Sequence, residues 1–208
     1  MLRSMLFETG VPGDPRSYFG RLPVLETERL RLRPLRMRDA ADIFEYGKDP
    51  AVSEHCLWEP YRSMADARAY LRFIRRQYRL ALPSSYGIEL KATGHIIGTI
   101  GFMSWQEADA SAEVGYSLAQ PYWHQGYATE ALRAVLDLAF DRMKLHRVEA
   151  QHELSNPASG RVMLKCGMRR EGILRGRILN RGHYSDVALY AILAEDRTGD
   201  ADRPAADP

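Results

Sequence analysis

The stretch that most constrains the fold is a change of period between residues 112 and 143. "AEVGYSL" (112–118) alternates apolar and polar residues, and "AQPYWHQG" (119–126) carries Pro121 and Gly126. Beyond it Ala128, Leu132, Val135, Ala139 and Met143 recur at steps of three and four. Period two, a break, then period 3.6 reads as strand, tight turn and amphipathic helix. Glu130, Arg133, Asp137 and Asp141 fall on the other side of that helix and are expected to face water.

A strand-to-helix junction of this kind has its own chemistry. The first N–H groups of a helix lack intrahelical partners, and the helix dipole adds partial positive charge there. A glycine at the turn admits positive φ and lets an anion come close to the main chain. Gly126 therefore has two readings from the residues alone: it serves only the turn, or it opens a cradle of amides for a phosphate. A Walker loop is excluded because no Gly-Lys-Ser/Thr follows, and a dinucleotide fingerprint because Gly126 lacks companion glycines at the required spacing.

The rest of the chain mixes both periods. "RLRLRPL" (29–35) alternates Leu30 and Leu32 with Arg31 and Arg33, as a strand with one wet face. A short helix follows, ending near Gly47. Ser63 caps a longer one with Ala67, Tyr70, Leu71, Ile74 and Tyr78 on one side. "SYGIELK", "HIIGTIGFMSW" and "SAEVGYSL" read as strands joined by short turns, and "HRVEAQHE" (146–153) as a further strand. "NPASGRVMLKCG" is a helix with Asn156 at its cap, Pro157 at its first position and Gly167 at its end. "MRREGILRGRILNRGHYSDVALYAIL" closes the pattern as a hairpin turning at "NRG". The expected fold is α+β, with one mixed, mostly antiparallel sheet of about seven strands and helices on both faces. Residues 1–24 are expected to form an irregular arm, 25–194 the domain, and 195–208 a charged, disordered tail.

Composition excludes several classes. With 45% apolar residues, the 208-residue chain can bury a core. A net charge of +2 singles out no partner. No run of about eighteen apolar residues could span a bilayer, and the start lacks the uninterrupted apolar core of a signal peptide. Cys56 and Cys166 make neither a disulfide framework nor a zinc knuckle, so a reduced cytoplasmic protein is expected. The six histidines show no metal-ligand spacing, and no metal is implied.

"EVGYSLAQPYWHQGYATEALRAVLDLAF", followed by "HRVEAQHELSNPASGRVMLKCGMRREGILR", resembles the GNAT superfamily of acyl-CoA N-acyltransferases, nearest to its Rim-type branch of ribosomal-protein N-terminal acetyltransferases. Two blocks match in the same order, across roughly residues 25–194. The resemblance implies acetyl-CoA as cosubstrate. It puts a pyrophosphate loop on His124, Gln125, Gly126, Tyr127, Ala128 and Thr129, with Trp123 in place of the usual polar first residue. It also implies that Ser117, Leu118 and Ala119 pair their main chain with the pantetheine arm, with an oxyanion donor around Leu118, and that Asn156 and Ser159 reach the same arm. Asn156 is equally a helix cap by its own chemistry.

Acetyl transfer to an amine needs a neutral amine, a stabilised tetrahedral oxyanion and a proton for the departing thiolate. Glu113, two residues before Gly115-Tyr116, is the first choice of base by the resemblance, with solvent exposure on the strand as the other reading. His152 is the second, since imidazole titrates near neutrality. Tyr184 is the candidate acid, although the resemblance usually supplies that tyrosine from the helix before Gly167, where none occurs. The implied acceptor is a peptide or protein N-terminus, or a small amine. Arg68, Arg72, Arg75, Arg76 and Arg79 lie on the helix that would wall the acceptor groove; they either attract an acidic chain or form a solvated face. No membrane partner is expected, and nucleic acid only through the ribosome. A homo-oligomer is left open.

Overall fold

In the middle of the sheet, β3 (Ser85–Leu90) is buried along its whole length. A strand covered on both faces needs layers above and below it. In this computed structural model, which describes residues 15–198, two packed clusters supply them. Tyr86, Ile88 and Leu90 point into the larger cluster. On the opposite face the α-carbon of Gly87 is overlain by Leu35 and Ile96 of the smaller one.

Eight strands form one sheet in the order β1-β2-β3-β4-β5-β6-β8-β7. They are β1 (Leu25–Glu26), β2 (Leu30–Pro34), β3, β4 (Ile96–Gln106), β5 (Ser111–Leu118), β6 (Arg147–Glu153), β7 (Arg169–Asn180) and β8 (His183–Leu193). Every pairing is antiparallel except β5 with β6. The expected count of about seven falls short by the two-residue β1. A parallel pair requires a crossover, here through helix α5 (Tyr127–Asp137) and a π-helical turn, Leu138–Arg142. The final hairpin turns at Arg181-Gly182, both with positive φ, between paired Asn180 and His183.

The remaining helices are α1 (Pro15–Gly20), α2 (Ala40–Gly47), α3 (Pro50–Ser53), α4 (Met64–Arg79), α6 (Pro157–Lys165) and α7 (Ala194–Thr198). α4 begins in a capping box in which the Asp66 carboxylate accepts from the Ser63 amide at 2.9 Å, and it buries Ala67, Leu71 and Ile74. No described helix is long and apolar enough to cross a membrane.

The structure differs from the sequence expectation at four places. α1 lies inside the stretch read as an irregular arm, because Phe19 is fully buried edge-on against Phe102 and Trp105. α7 occupies the first residues of the expected tail; residues 1–14 and 199–208 lie outside the described residues. Arg33 does not face water: it is 5% exposed, bonded to both Asp39 oxygens at 2.8 and 2.9 Å and to Glu89 of β3. Two carboxylates make burial of that charge tolerable, and they raise the guanidinium pKa further. Glu130 also turns inward, for a reason that belongs to the site.

Candidate active site

β5 and β6 pair only at their starts, where Ser111, Ala112 and Glu113 oppose Arg147, Val148 and Glu149. Beyond Glu113 the two strands share no ladder, while β5 stays paired to β4 as far as Leu118 and β6 to β8 as far as Glu153. The sheet therefore splits into a cleft of about 610 Å³. Val114, Gly115, Tyr116, Ser117 and Leu118 line one wall, and Gln151, His152 and Glu153 the other. An unpaired strand edge inside a cleft can hydrogen-bond an extended ligand. Part of β5 is already committed: the Leu118 carbonyl accepts from the Trp123 indole at 2.6 Å, and the Ala119 amide donates to Ile97.

At one end of the cleft lies the start of α5. Gly126 is its N-cap at φ +84°, a conformation suited to glycine. The first intrahelical bond runs from the Glu130 amide to the Gly126 carbonyl at 3.0 Å, so the amides of Tyr127, Ala128 and Thr129 precede it. No side chain among the described residues caps them. At the start of α6 this chain fills such a position, the Asn156 carbonyl oxygen accepting from the Ser159 amide. The bare terminus of α5 is thus open to an external anion.

The loop is fixed from behind by Arg29. Its guanidinium donates to the Gln125 carbonyl at 3.0 Å and stacks 4.2 Å from the centre of the Tyr127 ring. Glu130 holds Arg29 in turn, accepting from its Nε at 2.7 Å and its amide at 2.8 Å, and from the Thr27 hydroxyl at 2.6 Å. Burial opposes ionisation of Glu130, but these bonds outweigh it and lower its pKa. Glu130 is therefore turned toward β2, not toward water. Arg29 brings a cation to the anion site, and the sequence reading missed it. The only available signal was its place at the head of the alternating "RLRLRP".

α6 forms the floor of the cleft. The Tyr116 hydroxyl donates to the Ser159 carbonyl at 2.9 Å and lies 2.9 Å from the Ser159 hydroxyl, tying β5 to α6 across the split. Burial raises the Tyr116 pKa well above its ordinary value. The cleft is also lined by Ala51, Val52, Glu54, His55 and Cys56, which follow α2. There His55 Nδ1 lies 3.5 Å from Glu153 Oε2, and Asn180 Nδ2 donates to Glu153 Oε1 at 3.0 Å. None of His55, Glu153 and Asn180 was singled out in the sequence, since they come from three distant segments.

The model of the acetyltransferase (GNAT) domain matches residues 29–169, which contain both the split strands and the α5 loop. The chain belongs to the GNAT acetyltransferase family. The N-acetyltransferase p20 of Bacillus licheniformis is 30% identical over 86% of this chain and 100% of its own length. The ribosomal protein uS5-alanine N-acetyltransferase of Escherichia coli strain K12 is 28% identical, over 84% of this chain and 92% of its own. Among solved structures, RimJ of Mycobacterium smegmatis in complex with CoA-disulfide superposes with a TM-score of 0.75 at 29% identity, over 88% of this chain and 92% of that one.

As a GNAT enzyme the protein is an N-acetyltransferase that draws its acetyl group from acetyl-CoA. The donor fits the cleft: an uncapped helix terminus and Arg29 suit a pyrophosphate, and an open strand edge suits an amide-bearing pantetheine chain. All the residues expected at the coenzyme line this cleft except Ala119 and Gln125. Ala119 packs into the smaller core cluster, and Gln125 turns its side chain to the Pro121 carbonyl. Two of the catalytic candidates, Glu113 and Tyr184, lie outside the cleft lining. Glu113 is on the part of β5 still paired to β6; its carboxylate accepts from Gln151 at 2.8 Å and does not line the cleft. Tyr184 is 75% exposed on the β7–β8 hairpin, also outside it. His152 lines the cleft, but its Nε2 is buried beneath α6, where a Cβ on Gly160 would lie 2.6 Å away. The five α4 arginines are exposed, and none lines the cleft.

Proposed function

We propose that the protein transfers acetyl directly from acetyl-CoA to the α-amine of a peptide or protein in the cytoplasm, with both substrates bound together. Direct transfer is supported by the thiols. Cys56, the cysteine on the cleft wall, has its pKa pushed up to about 11 by burial, and Cys166 likewise. Neither supplies the thiolate that an acyl-enzyme would need at neutral pH.

The α-amine reading rests on the poverty of the acceptor end. Its one inner carboxylate, Glu153, is already held by Asn180 and His55. An α-amine with a pKa of about 7.7–8.0 is partly neutral at pH 7, whereas a lysine or polyamine near 10.4 demands more from the enzyme. The likeness to the uS5-alanine enzyme and to RimJ agrees in chemistry.

A test compares kcat/KM for a panel of free-N-terminal peptides with that for spermidine and for an N-terminally blocked lysine peptide. The expected result is a preference for free α-amines. Efficient spermidine acetylation with no peptide activity would replace this reading with a small-amine acetyltransferase, and coenzyme binding without any transfer would make the protein a non-catalytic binding module.

A further inference from the structure

We propose that His55 removes the proton from the acceptor ammonium, and that Glu153 is the positioning residue holding its imidazole. The inference rests on the amine-acetylation reading and names the group within that site that deprotonates the acceptor.

The other groups in or near the cleft are less suited, and the carboxylate of Glu54, also on its lining, is exposed. Glu113 is bound to Gln151 off the wall. His152 has Nδ1 against the Glu153 carbonyl at 2.8 Å and Nε2 buried under α6. His124, at φ +61°, belongs to the coenzyme loop. Cys56 is a protonated thiol. Glu153 is 10% exposed, with hydrogen bonds to both carboxylate oxygens; burial opposes its charge, yet Asn180, His55 and Ser185 together hold its pKa below the usual carboxylate range. It is an anion and a weak base.

His55 differs on each point. It lines the cleft and is 25% exposed. Its contacts run through Nδ1, 3.5 Å from Glu153 and 3.4 Å from the Ser155 hydroxyl. An anion at Nδ1 selects the tautomer with hydrogen there, which leaves the lone pair on Nε2. The 3.5 Å separation is long, as catalytic hydrogen bonds often are before substrates bind. Glu153 lies beside His55 from β6, and Glu54 and Cys56 of its own segment line the same cleft. Arg181 is anchored to the Ser53 carbonyl and hydroxyl at 3.0 and 3.1 Å and lies 3.6 Å from Glu59.

The step balances without another reagent. The acceptor R–NH₃⁺ gives one proton to Nε2. The freed nitrogen lone pair forms a C–N bond to the thioester carbon while the carbonyl π pair moves to oxygen. On collapse the C–S bond breaks with its electrons on sulfur, and the thiolate takes the second nitrogen proton, directly or through water. His55 then releases its proton to solvent.

The experiment measures kcat, KM and the pH profile of kcat/KM with the best peptide, alongside calorimetric acetyl-CoA affinity. His55→Gln is expected to lower kcat about 10²- to 10⁴-fold with coenzyme affinity retained, and added imidazole to restore part of the rate in His55→Ala. Glu153→Gln, which keeps shape and loses charge, is expected to lower kcat about tenfold with peptide KM and coenzyme affinity retained, and Glu153→Asp to restore part of that loss. Wild-type kcat and profile in His55→Gln overturn the assignment while leaving amine acetylation standing. A wild-type enzyme that acetylates no amine overturns both. An unchanged kcat in a folded Glu153→Gln protein removes Glu153 from its role.

Discussion

The two ends of the cleft are made differently. The end proposed to hold the coenzyme is main chain: a glycine at positive φ, three amides that no described side chain caps, and a strand edge released from its neighbour. The end proposed to hold the acceptor is side chain: His55 from the segment after α3, Glu153 from the end of β6, and Asn180 from the last hairpin. Main chain can serve any CoA thioester without particular side chains. A site of side chains drawn from scattered segments can be changed one residue at a time, which suits selection among acceptors.

The sharpest separation of the two ends comes from Gly126→Val. A β-branched residue at φ +84° strains the loop and displaces its amides. Acetyl-CoA affinity measured by calorimetry is expected to fall about 100-fold or more, or roughly 2.8 kcal/mol, in a protein with an unchanged circular dichroism spectrum. Arg29→Ala removes the brace behind the same loop. It is expected to weaken acetyl-CoA by about tenfold, near 1.4 kcal/mol, without changing the relative rates of different acceptor peptides. An altered acceptor ranking would mean that the two ends are coupled through β2.

Glu113→Gln probes the closed part of the same strand pair. The carboxylate is expected to matter through its bond to Gln151 and not as a base, so kcat should change by about threefold at most. A hundredfold loss in a folded protein would bring Glu113 back into the chemistry. Reversing Arg72 and Arg76 to Glu is expected to have the smallest effect. These exposed side chains act only through a screened field, so the change is confined to peptide KM, is about twofold, and vanishes at moderate salt.

What could be read in the sequence follows the same division. The strand–turn–helix junction was legible because period, glycine and cap chemistry are local properties, and they carried the fold class and several residues that line the cleft. Asn156 was legible for the same reason. The fates of Arg33 and Glu130 were not, because alternation says which side a residue takes but not what waits there: Asp39 and Glu89 in one case, Thr27 and Arg29 in the other. Glu113 was placed on its strand but not in the half of it that stays paired, since the point where β5 leaves β6 is a tertiary fact. His55 and Glu153 lie 98 residues apart and share no local pattern.

The most direct measurement is amide hydrogen exchange with and without acetyl-CoA. Protection is expected to rise at the amides of Tyr127, Ala128 and Thr129 and along the freed edge of β5 between Val114 and Leu118. The outer face of α4 and the paired start of β5, Ser111 to Glu113, should stay unchanged. Tight acetyl-CoA binding with no new protection at the start of α5 would contradict a coenzyme site built from main-chain amides.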